Sequence, residues 1–600
     1  MDRNSVIGFF LLAALLIGYI FYNQHSQSEY AKQKLADSVA FAKAHPKPVA
    51  KALPVKAADT LSDSVLQSMP PAFRGQAQMV TLENKNLSLQ FSTKGAHPVA
   101  ALLKDYKTYE GKPLYLFNGE ANQLNAVLPG NNNTTATGDL IYTATPGNAA
   151  NGDKTIDFMA DMGSGKQVHV LYTLPNKGYM LQCKINLVGM TANSLPLTWQ
   201  TTALHTEKDI ANEKLSSQVY YRLRNNDHDY HTINTKEKFN IDEPTHWVGF
   251  RLHYFSTALI SEEGFNKVDV SGSTKMTDVN VVAQNKNTAD LALKNGNEAN
   301  LRWYIGPNHY QTLRSYKIDL DDMVPLGYGI MAFVKYINKW LIIPIFNVLS
   351  GFIGNYGIII MLMTIIIRLL LSFFTYKSYL SAAKMRVLKP ELDELRAKYA
   401  DDQQKFGMEQ MKLYRTAGVN PLGGCLPSLF QLPILLAMYY FFPSSIELRQ
   451  EKFLWANDLS TYDSIATLPF TIPFYGDHIS LFTLLMTASS LFLALYNRNM
   501  TVQDPNNPMM KWMPFVFPFL LIGVFNKMAA ALTFYYFFSN MISIAQQFVI
   551  QKYIIDEKAI HAKMQENKNK PATPSKWAQK LEEIQKSQAD RGKQQPRKNN

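Results

Sequence analysis

The sequence predicts a polytopic α-helical membrane protein of six spans carrying an exterior β-sandwich domain, and three observations predict it. Nearly all the long apolar runs fall between residues 329 and 550, and the runs approach the roughly 20 residues that a helix needs to cross hydrocarbon. Residues 76–320 instead alternate apolar with polar side chains in short runs between Asn/Gly/Thr clusters. Basic residues collect in one loop of the apolar half and acidic residues in another, as membrane topology demands. The averages hide this division: 600 residues, 46% hydrophobic and a formal charge of +12 blend a polar half with an apolar one. That length exceeds one compact domain. A basic balance alone admits nucleic acid, anionic lipid or cytoplasmic loops; the apolar runs select membrane topology, and DNA is not an expected partner.

Residues 6–22 are apolar throughout and follow Arg3, with no Ala-x-Ala pattern after them. Residues 1–24 therefore read as an uncleaved signal-anchor span, with a cleaved signal peptide as the alternative. Residues 25–75 read as a tether, rich in Ala and Lys and interrupted by Pro46, Pro48, Pro54, Pro70 and Pro71. In the β-rich stretch, residues 168–174 and 180–187 flank the turn Pro175-Asn-Lys-Gly178 and predict a hairpin. No catalytic motif appears there. His205, His228, His231, His246 and His253 are scattered and read as surface or satisfied core histidines. Cys183 and Cys425 lie in different halves without metal-ligand spacing, so neither a disulfide, a metal site nor a cofactor is expected.

Residues 329–350 carry Lys335 and Lys339 four apart beside Trp340, the pattern of an interfacial amphipathic helix on the membrane surface. A spanning helix there is disfavoured, because both lysines and Pro344 would sit within it. Residues 351–374 are the expected second span, 375–420 a cytoplasmic helical hairpin, 421–443 the third span and 444–477 an outer loop. Residues 478–550 hold the fourth to sixth spans, and 551–600 form a basic tail. Nine basic residues between 375 and 419, from Lys377 to Arg415, place the hairpin in the cytoplasm. Glu447, Glu451, Asp458, Asp463 and Asp477 outweigh Arg449 and Lys452 and place that loop outside. Both termini then lie inside and the β-rich domain outside.

Arg368 is the anomaly of the second span. A charge in hydrocarbon costs about 2.5–3.5 kcal/mol even on a lenient scale. It lies six residues before Phe374, roughly 9 Å along a helix. Either the side chain snorkels to the headgroups, or it faces a water-filled protein interior with polar neighbours. Thr364 shares its helical face, Gln431 sits mid-span beside Pro433, and Ser428 lies three residues before that glutamine. No acidic residue occurs centrally in any span, so an unpaired cation facing water is expected.

The hairpin reads as two helices. In residues 381–399, Met385, Leu388, Leu392 and Leu395 keep helical spacing, with Pro390 near a first-turn-like position; the second helix covers 403–416. Its charged face is either simply solvated or docks a partner. The tail from 558 to 600 has eleven basic residues against four acids and reads as disordered after a helical start. It either solubilises the chain or meets ribosomal RNA.

Several motifs occur together and in order: Asn420-Pro-Leu-Gly-Gly-Cys-Leu-Pro-Ser-Leu-Phe-Gln-Leu-Pro-Ile434, Thr364-x-x-x-Arg368, Lys384-Met-Arg-Val-Leu-Lys-Pro390, Asp504-Pro505, and Tyr535-Tyr-Phe-Phe-Ser-Asn540 with Gln546-Gln547. Over residues 329–550 the chain resembles the YidC membrane protein insertases, with a weaker likeness at Trp247-Val-Gly-Phe-Arg-Leu-His-Tyr-Phe255. The resemblance implies a five-helix insertase core around a hydrophilic groove open to cytoplasm and lipid, in an inner membrane, with a periplasmic β-sandwich. It assigns the groove arginine to Arg368, its threonine to Thr364, the mid-span glutamine to Gln431 and the substrate-facing tyrosine to Tyr536. The hairpin motif falls on Lys384, Met385, Arg386 and Pro390. Implied partners are nascent membrane proteins, the lipid bilayer and the Sec translocon, with a ribosome reached through the tail and loops. No covalent step is implied. The rival readings are a transporter or channel, which calls for inverted repeats and several intramembrane charges, and an anchored envelope-binding protein, which leaves five spans unexplained.

Overall fold

A computed structural model describes residues 70–130, 135–233, 237–274, 277–399, 402–419, 426–473, 475–497 and 508–569. The signal anchor, nearly all of the tether and residues 570–600 fall outside them. The chain divides into two compact units, residues 1–307 and 308–600.

The first unit is β-rich. Strands Met79–Glu83, Leu87–Ser92, His97–Lys107 and Pro113–Asn118 form an antiparallel four-stranded meander. The strands from Gln123–Leu128 to Glu298–Pro307 form a fourteen-stranded sheet. Its centre is the 19-residue strand Phe255–Ser273, which pairs with Thr245–Arg251 and Glu298–Pro307 along its first half. Along its second half it pairs with Glu237–Ile241 and Val281–Ala292. The expected hairpin is present, with Gln167–Leu174 antiparallel to Met180–Val188 and Cys183 opposite Tyr172. From Ala283 to Ala292, buried residues alternate with exposed or partly exposed ones and give this strand one buried face.

The small sheet packs on that face through aromatic rings. Phe117 stacks on Trp303 at 6.3 Å, Phe91 meets Tyr172 at 4.7 Å and Phe158 at 5.7 Å, and Tyr106 meets Phe255 edge-on at 5.3 Å. Burial of each such Phe stabilises the unit by about 1.5–3 kcal/mol. The Trp303 indole donates to Thr257 Oγ1 at 2.6 Å, so its polar edge is satisfied within the core.

The second unit is helical. Residues Gly329–Ser350 form one helical run with a π-helical turn at Asn338–Ile342, long and apolar enough to cross a membrane. Lys335 and Lys339 are half-buried and ion-paired, with Asp322 at 2.6 Å and Asp321 at 3.0 Å. The outward face is apolar: Ile330 is 93% exposed and Trp340 77%, with Phe333, Tyr336 and Val348 beside them. The run is amphipathic, with its lysines held by two aspartates on one side and its aromatic residues outward on the other.

Helix α1 is the short Ile210–Leu215 of the first unit. Helix α2, Tyr356–Leu370, begins at Asn355, whose side chain accepts from Ile358 N at 3.1 Å. Gly357 is required there, since a Cβ would lie 2.0 Å from the Phe453 ring. The expected second span ran to Phe374, but the helix ends at Leu370 and bends by 59° into α3, Ser372–Lys398. Just past the break, the Leu371 carbonyl accepts from both the Thr375 hydroxyl at 3.0 Å and the Thr375 amide at 3.1 Å. Pro390, expected in a first turn, therefore lies deep inside a 27-residue helix. Helix α4, Gln403–Thr416, has the expected bounds. Helices α5 (Leu426–Ser444), α6 (Leu481–Asn497), α7 (Pro508–Phe525), α8 (Ala530–Val549) and α9 (Glu557–Asn569) complete the unit.

One buried acid in the β-rich unit has a thermodynamic consequence. Glu213 on α1 is fully buried and accepts from Thr206 Oγ1 at 2.6 Å and from the Thr206 amide at 3.2 Å. Burial, then the nearby Glu207 carboxylate, push its pKa from 4.5 up to about 8. Between those values the unfolded chain releases a proton that the folded chain keeps, so stability is greatest at low pH and falls as pH rises through 8. Thermal unfolding of the purified full chain, followed by circular dichroism, is expected to show a β-unit transition that drops by several degrees between pH 5.5 and 8.5. Glu213→Gln should flatten that dependence; an unchanged slope in the variant would assign it elsewhere.

Candidate functional site

The site is built where α2, α5 and α8 meet. Arg368 occupies the last turn of α2, and its side chain turns inward, leaving 8% of the residue exposed. Nε donates to Ser539 Oγ on α8 at 3.1 Å, and Nη2 donates to the same oxygen at 2.6 Å. Nη1 donates to Gln431 Oε1 on α5 at 3.2 Å. The side chain thus bridges two helices and does not snorkel. Among the described residues no carboxylate pairs with it. Hydrogen bonds to a charged group contribute about 1.5–3 kcal/mol each, which offsets part of the desolvation of the guanidinium.

The remaining expected residues take different places. Thr364 is fully buried one turn earlier, and its hydroxyl donates to the Ile360 carbonyl at 2.6 Å, so it serves its own helix. Tyr536 is 8% exposed and donates from its hydroxyl to the Leu435 carbonyl of α5 at 3.2 Å. It stands one turn before Ser539 and tethers the same pair of helices. Gln431 is only half-buried and reaches the cluster from a helix carrying Pro433. Ser428 precedes it on α5, and its side chain lies outside the described ones.

Sequence reasoning missed Ser539 as a site residue. The available signal was position: it sits three residues after Tyr536, on the same face, within a motif already singled out. Toward α6 the same helix presents a second polar seam. Asn540 donates to Ser489 Oγ at 3.1 Å and Ser490 Oγ at 2.8 Å, and Gln547 donates to Asn497 Oδ1 at 2.7 Å. Helix α8 therefore couples its neighbours through polar side chains on two faces.

The hairpin is a three-helix assembly. Leu388 and Leu392 of α3 and Tyr414 of α4 form one apolar core with Ile560 and Met564 of α9; Met385 packs at its edge. Arg386 pairs with Glu557 at 2.9 Å, Lys384 is half-buried, and Pro390 is exposed. The helical start of the tail is thus docked, on a target that its charge-rich sequence did not reveal.

The chain matches two family descriptions in sequence. The YidC periplasmic domain covers residues 79–343, and the 60Kd inner membrane protein family covers residues 348–558. The membrane protein insertase YidC of Parabacteroides distasonis is 36% identical, with 98% of each chain covered. That of Amoebophilus asiaticus is 36% identical over 95% of this chain and 96% of its own. That of Porphyromonas gingivalis is 34% identical over the whole of both. A crystal structure of an active YidC insertase with its first transmembrane domain resolved aligns with 82% of this chain and 96% of its own, at 18% identity and a TM-score of 0.33.

Placing a charge in the hairpin core should undo it. Met564→Asp buries a carboxylate beside Leu388 and Tyr414 and removes apolar contacts, a change expected to cost about 2–5 kcal/mol. Limited proteolysis of the full chain should then cut between α3 and α4 several-fold faster; an unchanged rate would mean that α9 does not support the hairpin.

Proposed function

Because the chain belongs to the YidC family of membrane protein insertases, we propose that the Arg368–Ser539–Gln431 cluster is the floor of a groove that carries nascent membrane proteins into an inner membrane. The observation that carries this reading is a buried arginine that, among the described residues, is held by neutral acceptors from two helices. Such a cation retains its full charge for a transient anionic guest, where a fixed carboxylate would have cancelled it.

In this reading α2 with the start of α3, and α5, α6, α7 and α8, form the five-helix core, with residues 1–24 as a further span and both termini cytoplasmic. The β-rich unit lies in the periplasm. Helix 329–350 lies in the outer interface, its aromatic face in lipid and its lysines held by Asp321 and Asp322. A client's polar outer segment must cross hydrocarbon at several kcal/mol per unsatisfied backbone group. A polar groove part-way through shortens that passage. Arg368 attracts acidic client residues, while apolar client residues slide along α5 and α8 near Tyr536 into lipid. No bond is made or broken.

Two variants test the cation. Arg368→Ala is expected to reduce insertion of clients with short acidic tails by about tenfold, the equivalent of one 1.4 kcal/mol step, and to spare strongly hydrophobic ones. Gln431→Glu, which sets a carboxylate against Nη1, should act in the same direction. Equal insertion of both client classes in reconstituted vesicles would remove the reading, as would failure of a stalled client to crosslink from Gln431 and Tyr536.

The basic residues after Asn569 are proposed to contact ribosomal RNA, an electrostatic and salt-sensitive interaction. Removal of residues 570–600 leaves α9 on the hairpin and is expected to abolish low-salt ribosome co-sedimentation. Undiminished co-sedimentation would leave the tail as a solubilising segment. The Sec translocon is a further proposed partner, on the resemblance alone.

A further inference from the structure

We propose that Ser539 is a positioning residue that orients Arg368 so that its end-on pair of N–H groups faces the client carboxylate. The inference rests on the groove reading above and adds to it the residue that aims the cation. A guanidinium has five N–H donors in a rigid planar fork. Ser539 Oγ takes two of them, on Nε and Nη2, which lie along one edge of that plane. Gln431 takes a third, on Nη1. One N–H on each terminal nitrogen is left over, and among the described residues no acceptor is bonded to either. Once Gln431 gives up Nη1, the end-on pair, one N–H from each terminal nitrogen, meets a carboxylate through both oxygens at once.

The two holders are not equivalent. Ser539 is 3% exposed and sits mid-way along α8, where its own carbonyl accepts from Ser543 Oγ at 2.7 Å. A single hydroxyl oxygen bonded to two nitrogens fixes both the position and the plane of the guanidinium. Gln431 is half-buried and contributes one longer bond. Ser539 is therefore the fixed anchor and Gln431 the yielding one, free to give up Nη1 as a client arrives. Without the serine hydroxyl, the fork turns about its last torsions and offers single N–H contacts in place of the pair.

The test compares two clients differing only in whether the short outer tail carries aspartates or the corresponding asparagines. Each is inserted by full-chain protein in vesicles. Ser539→Ala is expected to lower insertion of the aspartate client by about fivefold or more and to leave the asparagine client within about twofold. Ser539→Thr, which keeps the hydroxyl, should restore the difference. In an Arg368→Ala background, Ser539→Ala should have no further effect. Equal loss on both clients would overturn the inference and make Ser539 a packing residue, as would failure of threonine to rescue. If Ser539→Ala acts on neither client while Arg368→Ala still discriminates between them, the positioning role fails and the groove reading stands. If Arg368→Ala does not discriminate, the groove reading itself fails. Unchanged trypsin resistance of the Ala variant shows that it folds.

Discussion

A cation buried among helices without a carboxylate sets the terms for the helical unit. Desolvating a guanidinium costs several kcal/mol, and hydrogen bonds to neutral oxygens recover only part of it. The acceptors come from helices other than α2, whose own Thr364 hydroxyl donates to the Ile360 carbonyl. Ser539 and Gln431 supply them, and so α8 and α5 have to sit where those two side chains converge. Tyr536 then holds the same two helices one turn away through the Leu435 carbonyl. The site and the helix packing are one problem, solved by the same few polar contacts.

The end of the helices opposite the hairpin is fixed by a different network. Asp463 accepts from the Leu481 and Phe482 amides at 2.9 and 3.0 Å and from the Trp455 indole at 2.9 Å, capping α6. It also takes the Ser480 hydroxyl. Asn526, between α7 and α8, donates to the Tyr475 and His478 carbonyls at 3.0 and 2.8 Å and accepts from Ser480 N at 3.0 Å. Both side chains are fully or nearly buried, so loss of either strands several backbone groups at once. At the other end of the unit, contact is mainly apolar, through the α3–α4–α9 core. Directional bonds thus hold one end of the helices, and a small side-chain core holds the other.

How much of this was legible depended on the kind of signal. Alternation gave the β-rich unit and its hairpin at residues 167–188 correctly, because one buried face imposes period two on strands such as Lys154–Asp161 and Gln167–Leu174. The bounds of α4 were equally plain, with Asp402 as a side-chain cap and Gly418 in the left-handed region just beyond the end. The bend at Leu371 was not legible: no Pro or Gly lies there. The ion pairs of Lys335 and Lys339 were not legible either, because their partners, Asp322 and Asp321, lie a dozen or more residues upstream. Arg368 and Gln431 stood out as polar residues in apolar runs, whereas Tyr536 was reached only through the resemblance. Ser539 did not, since a serine inside a helix is usually satisfied by its own backbone, as Ser543 is here.

The geometry also explains why this buried cation is an arginine. Three of its donors are directed at two acceptors on different helices, and they lie in one plane. A lysine ammonium presents three donors on a flexible stem with no preferred plane, so it could reach Ser539 or Gln431 but would not hold both in a fixed orientation. Its pKa would also fall readily on burial, and a neutral amine has nothing to offer an acidic guest. Arginine stays charged under the same burial. The planar fork therefore does two things that no other side chain does together: it ties α5 to α8 through α2, and it keeps an uncancelled charge between them.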